Sequence, residues 1–247
     1  MVRVLLIRGM VAGLVGGLAY FVFAYLFGEG AVDAAIAYEE QAAAAAGDVS
    51  DEAPLVSRGI QSTLGLGVAA LVYGVVIGGV VGLAYASVVG RVGRLGPRAT
   101  AAAVAAIGFV AVALVPFVKY PANPPASTVD ETVGQRTGPY VLLTILSVVF
   151  VVGAVMLGRS VVERLGGWNA TLTASAAYLV AVGALGALLP RIAETPADFP
   201  ATVMYDFRLA AIGGQLVLWT VTGLVFGALV EGRSRERAGK AAGAVIG

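Results

Sequence analysis

Charged residues divide the chain into six uncharged stretches, at 9–28, 59–90, 99–118, 137–158, 165–190 and 209–230. At a rise of about 1.5 Å per residue, about 20 apolar residues cross a bilayer's hydrocarbon core, so each stretch is long enough to span. One charge at mid-bilayer costs about 2.5–3.5 kcal/mol on the insertion scale, which accounts for the clean runs. The pattern predicts an all-α polytopic membrane protein with six transmembrane helices. They form a single transmembrane domain over 1–247, at about 5–27, 62–89, 99–118, 138–158, 169–190 and 209–230, with a tail at 231–247. The first stretch is longer than the ~7–15-residue core of a signal peptide and lacks a small-residue cleavage site after it. It therefore reads as a retained helix.

Charge orients these helices. The segments 1–8, 91–98, 159–164 and 231–247 hold 11 of the 16 basic residues but only three acids, Glu163, Glu231 and Glu236. The other connections hold the remaining acids. The positive-inside rule then puts both termini in the cytoplasm and the acidic loops outside, in a multi-pass protein of the cell's inner (plasma) membrane. Three hairpins result, each with an arginine (Arg58, Arg136 or Arg208) just before the returning helix. They suggest a pseudo-repeat, or simply arginines that snorkel to the headgroups.

Glycine at four-residue spacing marks the faces where helices would meet: Gly13 and Gly17; Gly74, Gly78 and Gly82; Gly223 and Gly227. Small residues let backbones approach where lipid removes the hydrophobic drive between helices, and three in line make the second span central. Met10, the one soft donor near the inner end, reads as packing.

The outer loops carry the candidate chemistry. The first begins with an alanine-rich segment, 31–46, that predicts a short amphipathic helix. At about 100° per residue, Glu29, Asp33 and Glu40 fall within about 40° of one another, with Glu39 turned away. Three carboxylates on one face are candidate ligands for a divalent cation, or a solvated acidic surface. The second loop, Lys119-Tyr120-Pro121-Ala122-Asn123-Pro124-Pro125, is stiffened by its prolines, and Pro196-Ala197-Asp198-Phe199-Pro200 is comparable. Gln61, Lys119, Asn123, Arg208 and Gln215 are the candidate pathway or gating groups; the two glutamines serve equally well as interhelical bonds.

Composition then narrows the function. Hydrophobic residues make up 59% and charged residues 13%, so too little polar surface exists to clothe a water-soluble domain. A net charge of +1 argues against nucleic-acid binding. Cysteine and histidine are both absent, which removes disulfides, thiolate sites and His-based triads. No phosphate loop or dinucleotide glycine pattern occurs, and general acid–base groups are missing from the spans, so an enzyme is not expected.

Several stretches resemble the CbtA family of predicted cobalt transporter subunits: Arg8-Gly9-Met10, Phe27-Gly28-Glu29, Val32 to Ile36, Ser57-Arg58-Gly59, Arg91 to Arg98, Lys119 to Pro125, Gly167 to Thr171, Ala197 to Pro200, and Phe207-Arg208. Gly30 departs from the proline expected there. The resemblance implies Co²⁺ as transported ion for cobalamin synthesis, with no permanently bound cofactor. It also implies a small, histidine-bearing, single-span CbtB-type partner beside the membrane lipid. A metal permease, with Glu29, Asp33 and Glu40 as metal-collecting groups, is the leading expectation. The alternative is a non-transporting scaffold or accessory subunit of a larger membrane complex.

Overall fold

Helices form where the uncharged stretches lie, and most run a few residues beyond them. The computed structural model describes residues 1–47, 56–91, 95–127, 133–192 and 195–246, with the side chains of 133–134 and 233–246 outside that description. Arg94 and the basic side chains of the tail therefore lie outside the described residues. Among those described, 87% helix and no strand are found. In chain order the helices are α1 (Val2–Phe27), α2 (Glu29–Ala46), α3 (Arg58–Val88), α4 (Pro97–Lys119), α5 (Val133–Leu188) and α6 (Ala201–Ile246). All but α2 contain stretches long and apolar enough to cross a membrane. The short helix expected after the first span is α2, and α6 runs without a break through the predicted tail.

Contacts group the chain into two units, residues 1–30, 48–106 and 213–247 in the first, 31–47 and 107–212 in the second. The first unit is organised by α1 lying antiparallel to α3. Gly9, Gly13 and Gly17 of α1 are buried against Gly74, Gly78 and Gly82 of α3, so the expected glycine faces do meet. A Cβ added at Gly17 would stand 2.5 Å from the Ala70 carbonyl oxygen, and one at Gly82 would stand 2.6 Å from that of Leu5. At Gly13 and Gly78 the facing backbone is closer still. Backbone touches backbone with no side chain between, an approach that only glycine permits. Residues 213–230 of α6 complete the unit. Gly223 faces the Ala105 methyl, while Phe226 meets Tyr85 edge-on at a centroid distance of 5.1 Å. Met10 lies near Gly79, consistent with packing.

In the second unit, α5 is not one rod. Gly166 sits at φ 74°, ψ 162°, outside helical space and in a region open essentially to glycine alone. The two arms fold back on each other about this residue. Ser147 and Tyr178 share a 2.8 Å hydroxyl hydrogen bond, and Gly158 lies against Ala174. In an unbroken helix the first pair would be about 46 Å apart. The break falls just after the charges at Arg159, Glu163 and Arg164, in the connection expected between two spans.

Two π-helical turns interrupt the ladders, at Gln61–Gly65 in α3 and Phe109–Leu114 in α4. Their wider turns are carried by Leu66 N–H donating to Gln61 O and Val115 N–H donating to Val110 O. The second turn precedes Pro116, which has no N–H to continue the regular i→i−4 ladder. Helix α2 packs through Ala35 and Tyr38 onto Phe199, Val203 and Met204.

These contacts separate two kinds of glycine. Gly78→Ala should destabilise the protein in detergent micelles by about 1–3 kcal/mol, because the methyl has only backbone to displace. Gly166→Ala should cost a similar about 1–3 kcal/mol through backbone strain. Gly183→Ala, with nothing within 4 Å of the added carbon, should be neutral or slightly stabilising. Denaturant titration in micelles, followed by Trp168 and Trp219 fluorescence, checks all three.

Candidate functional site

The antiparallel α1–α3 pair determines which charges meet. It brings the residue just beyond α1 beside the first residue of α3, and there the Arg58 guanidinium pairs with the Glu29 carboxylate. Both side chains are largely shielded, at 32% and 16% exposure, so the pair is screened less than a surface bridge. At the opposite end of the same unit, Arg8 donates to the Leu229 carbonyl at 2.7 Å, and Arg98 pairs with Glu231 at 2.6 Å. The Arg98 side chain is 64% exposed, so that second pair contributes little.

The three carboxylates expected to gather a metal share a helix face but not a reach. From Glu29 to Glu40 is eleven residues of α2, about 16 Å along the axis. Asp33 and Glu40 are exposed, while Glu29 is engaged by Arg58. Among the described residues, no group of three or more His, Cys, Asp or Glu is placed to hold a metal ion. Angular coincidence did not foresee this, because periodicity reports direction around a helix and not distance along it.

The two glutamines lie in the first unit. Gln61, in the π-helical turn of α3, is exposed and donates to the Val56 carbonyl at 3.0 Å. Gln215 accepts from the Tyr73 hydroxyl at 3.3 Å, joining α6 to α3 as an interhelical bond.

The second unit assembles the proline-rich loop. Lys119 donates to Leu189 O at 3.1 Å and stands 5.6 Å from the centre of the Tyr120 ring. The Tyr120 hydroxyl donates to Pro190 O at 2.8 Å, so two adjacent side chains cap the carbonyl end of α5. Arg208 donates through Nη2 to Asn123 Oδ1 at 2.7 Å and through Nε to Ala122 O at 3.4 Å. Thus Asn123 and Arg208, both expected as pathway groups, do come together. The loop is further set by Ala126 at φ 60° and by a buried Ser127 hydroxyl donating to Pro124 O at 2.6 Å.

Several participants were not foreseen. Tyr38 bonds to Asp198; partial burial, then that hydrogen bond and the nearby negative charge, push its phenol above the ordinary 10.0. Burial likewise raises Tyr120. Trp219 Nε1 and Thr222 Oγ1, on one side of α6, are buried with no hydrogen-bond partner among the described residues. The only sequence signal for them is a polar interruption, Trp219 to Thr222, in an otherwise apolar run.

A comparison with family models matches residues 2–231 to "Probable cobalt transporter subunit (CbtA)". The chain belongs to the CbtA family. The match takes in the apolar segments of all five long helices, so membership applies to the whole membrane-embedded part and not to one motif. No curated protein and no solved structure matches the chain. As a CbtA member the chain is a cobalt transporter subunit and a membrane protein, and a subunit implies partners.

The loop anchor has a measurable strength. Asn123→Ala should cost about 1–2 kcal/mol, toward the lower range for a hydrogen bond to a charged group. Combined with Arg208→Gln, the loss should be smaller than the sum of the single losses. A double-mutant cycle by unfolding in micelles reads the coupling; strict additivity would show that the two side chains do not act together.

Proposed function

We propose that this CbtA subunit carries Co²⁺ inward across the cell's plasma membrane, to supply cobalamin synthesis. The observation that carries the reading is the family match over 2–231, which covers every helix long and apolar enough to cross. In this reading α5 crosses twice, once on each side of Gly166, for six spans with both termini cytoplasmic. Its support is the fold-back of the two arms and the excess of basic residues on the predicted inner segments.

Glu29, Asp33 and Glu40 serve as a collecting face on the outer side, raising the local concentration of a divalent cation. They need not share one ion, which suits their spacing. Arg58, already paired with Glu29, is a tethered cation against which arriving Co²⁺ competes. Beyond it, Gln61, Lys119, Asn123, Arg208 and Gln215 are the proposed pathway or gating groups. Membrane potential favours inward movement of a doubly charged ion by about 4.6 kcal/mol per 100 mV, twice the single-charge value. Nitrogen ligands come from a second subunit, a small single-span chain bearing histidines, since this chain has none. The scaffold reading draws support from one feature: around Gly153, Gly183 and Gly186 on α5 an added Cβ would meet nothing within 4 Å, leaving room for close approach by another helix.

Cobalt accumulation in cells expressing the chain with its partner subunit tests the reading. Glu29→Gln, Asp33→Asn and Glu40→Gln together should raise the half-saturating cobalt concentration severalfold and leave the maximal rate nearly unchanged. Arg58→Gln alone should lower it. Cobalt uptake that never exceeds that of cells lacking the chain would favour the scaffold. A reagent confined to the outside that labels either terminus would remove the six-span topology.

A further inference from the structure

The second unit contains a groove of about 580 Å³ whose apolar lining the transport reading leaves unassigned, although Arg208 at its wall is one of the proposed pathway or gating groups. One face of α6, with Met204, Arg208, Leu209 and Ile212, forms one side, and Phe117 and Phe199 line it as well. Its volume falls within the range of pockets that hold small organic ligands, and its surface is overwhelmingly apolar. It is open rather than sealed: Leu209 at its rim is 55% exposed. In a membrane-spanning chain, an open apolar groove has the bilayer's own lipid as its nearest source of ligand.

Arg208 is the one charged residue lining the groove. Its Nε and one Nη2 hydrogen are taken by Ala122 O and Asn123 Oδ1, which fix the plane of the guanidinium. Among the described residues its Nη1 amino group has no protein acceptor. The nearby acids do not supply one. Asp206 is two residues away on α6, a spacing that points it to another face, and Asp198 is bonded to Tyr38. The guanidinium lies about two turns into α6, roughly 10 Å from its start, a depth suited to the headgroup boundary. An oriented cation with open donors, in the wall of an apolar groove, matches a phosphate joined to a hydrocarbon chain.

We propose that this groove holds one anionic phospholipid, its phosphate on Arg208 and an acyl chain along Phe117, Leu209 and Ile212. The occupant is a membrane lipid rather than a free anion, because the apolar lining beside the guanidinium offers hydrocarbon contacts that a soluble phosphate cannot use.

Native mass spectrometry of the purified full chain, given phosphatidylglycerol and phosphatidylcholine in equal amounts, tests the proposal. One phosphatidylglycerol should be retained about fivefold over phosphatidylcholine, the ratio expected from one membrane-facing cation. Arg208→Gln should bring that ratio to about one. Ala201 also lines the groove, so Ala201→Trp, which narrows it and keeps the arginine, should reduce retention of both lipids severalfold, with an unchanged unfolding profile showing that the chain is intact. Glycerophosphate alone should not be retained. Equal retention of the two lipids by the unaltered chain, or lipid binding undiminished in Ala201→Trp, would overturn the lipid site. Retained glycerophosphate would make it an anion site instead. Cobalt takes no part in any of these readouts, so failure of the lipid site and failure of the transport reading are separable.

Discussion

Direct contact between the backbones of α1 and α3 is the constraint from which the first unit is built. In a bilayer, burying a leucine against another helix gains little over leaving it against lipid, so association depends on close packing and complementary shape. Glycines on both helices supply that closeness along about two turns, from Gly9 against Gly78 to Gly17 against Ala70. Once the two helices lie antiparallel at this register, Arg58 has little choice of partner. It stands where α1 ends, and Glu29 is there. The ion pair is thus a consequence of the glycine contact rather than an independent feature of the surface.

A second regularity concerns what the cations do. Arg8, Arg91, Lys119 and Arg208 each donate to a backbone carbonyl, of Leu229, Ser87, Leu189 and Ala122 in turn. Leu229 lies inside α6, but the other three carbonyls sit at helix ends or in the proline-rich loop and lack regular partners, and a carbonyl left bare near hydrocarbon costs more than one in water. Cations held this way stiffen the connections. They also place positive charge on backbone dipoles rather than leaving it free to repel a divalent ion. Arg208 differs from the others, because its hold on Asn123 and Ala122 leaves one edge of the guanidinium open toward an apolar groove.

Much of the architecture is legible in the amino-acid order because lipid makes the rules strict. Charges bound every span, and glycine spacing marks the faces that helices use to meet, though not which faces pair. The alanine-rich segment after the first span becomes α2. The exclusions are equally plain, since the absence of histidine and cysteine rules out whole classes of chemistry before any fold is known. Asn123 and Arg208 were each singled out by type and position, yet neither carried a sign that the other was its partner.

Tertiary structure alone decided those pairings. A helical wheel places Glu29, Asp33 and Glu40 on one face, but only folding shows Glu29 committed to Arg58. It decided, too, that the chain reverses at Gly166, among several glycines near that connection, since only there does the backbone take a conformation reserved for glycine. Hydrophobicity and helical period act over a few neighbouring residues, so they can be read along the chain. Hydrogen bonds such as that between Arg208 and Asn123 join residues 85 apart. What joins them is the packing of helices in between, which no local pattern encodes.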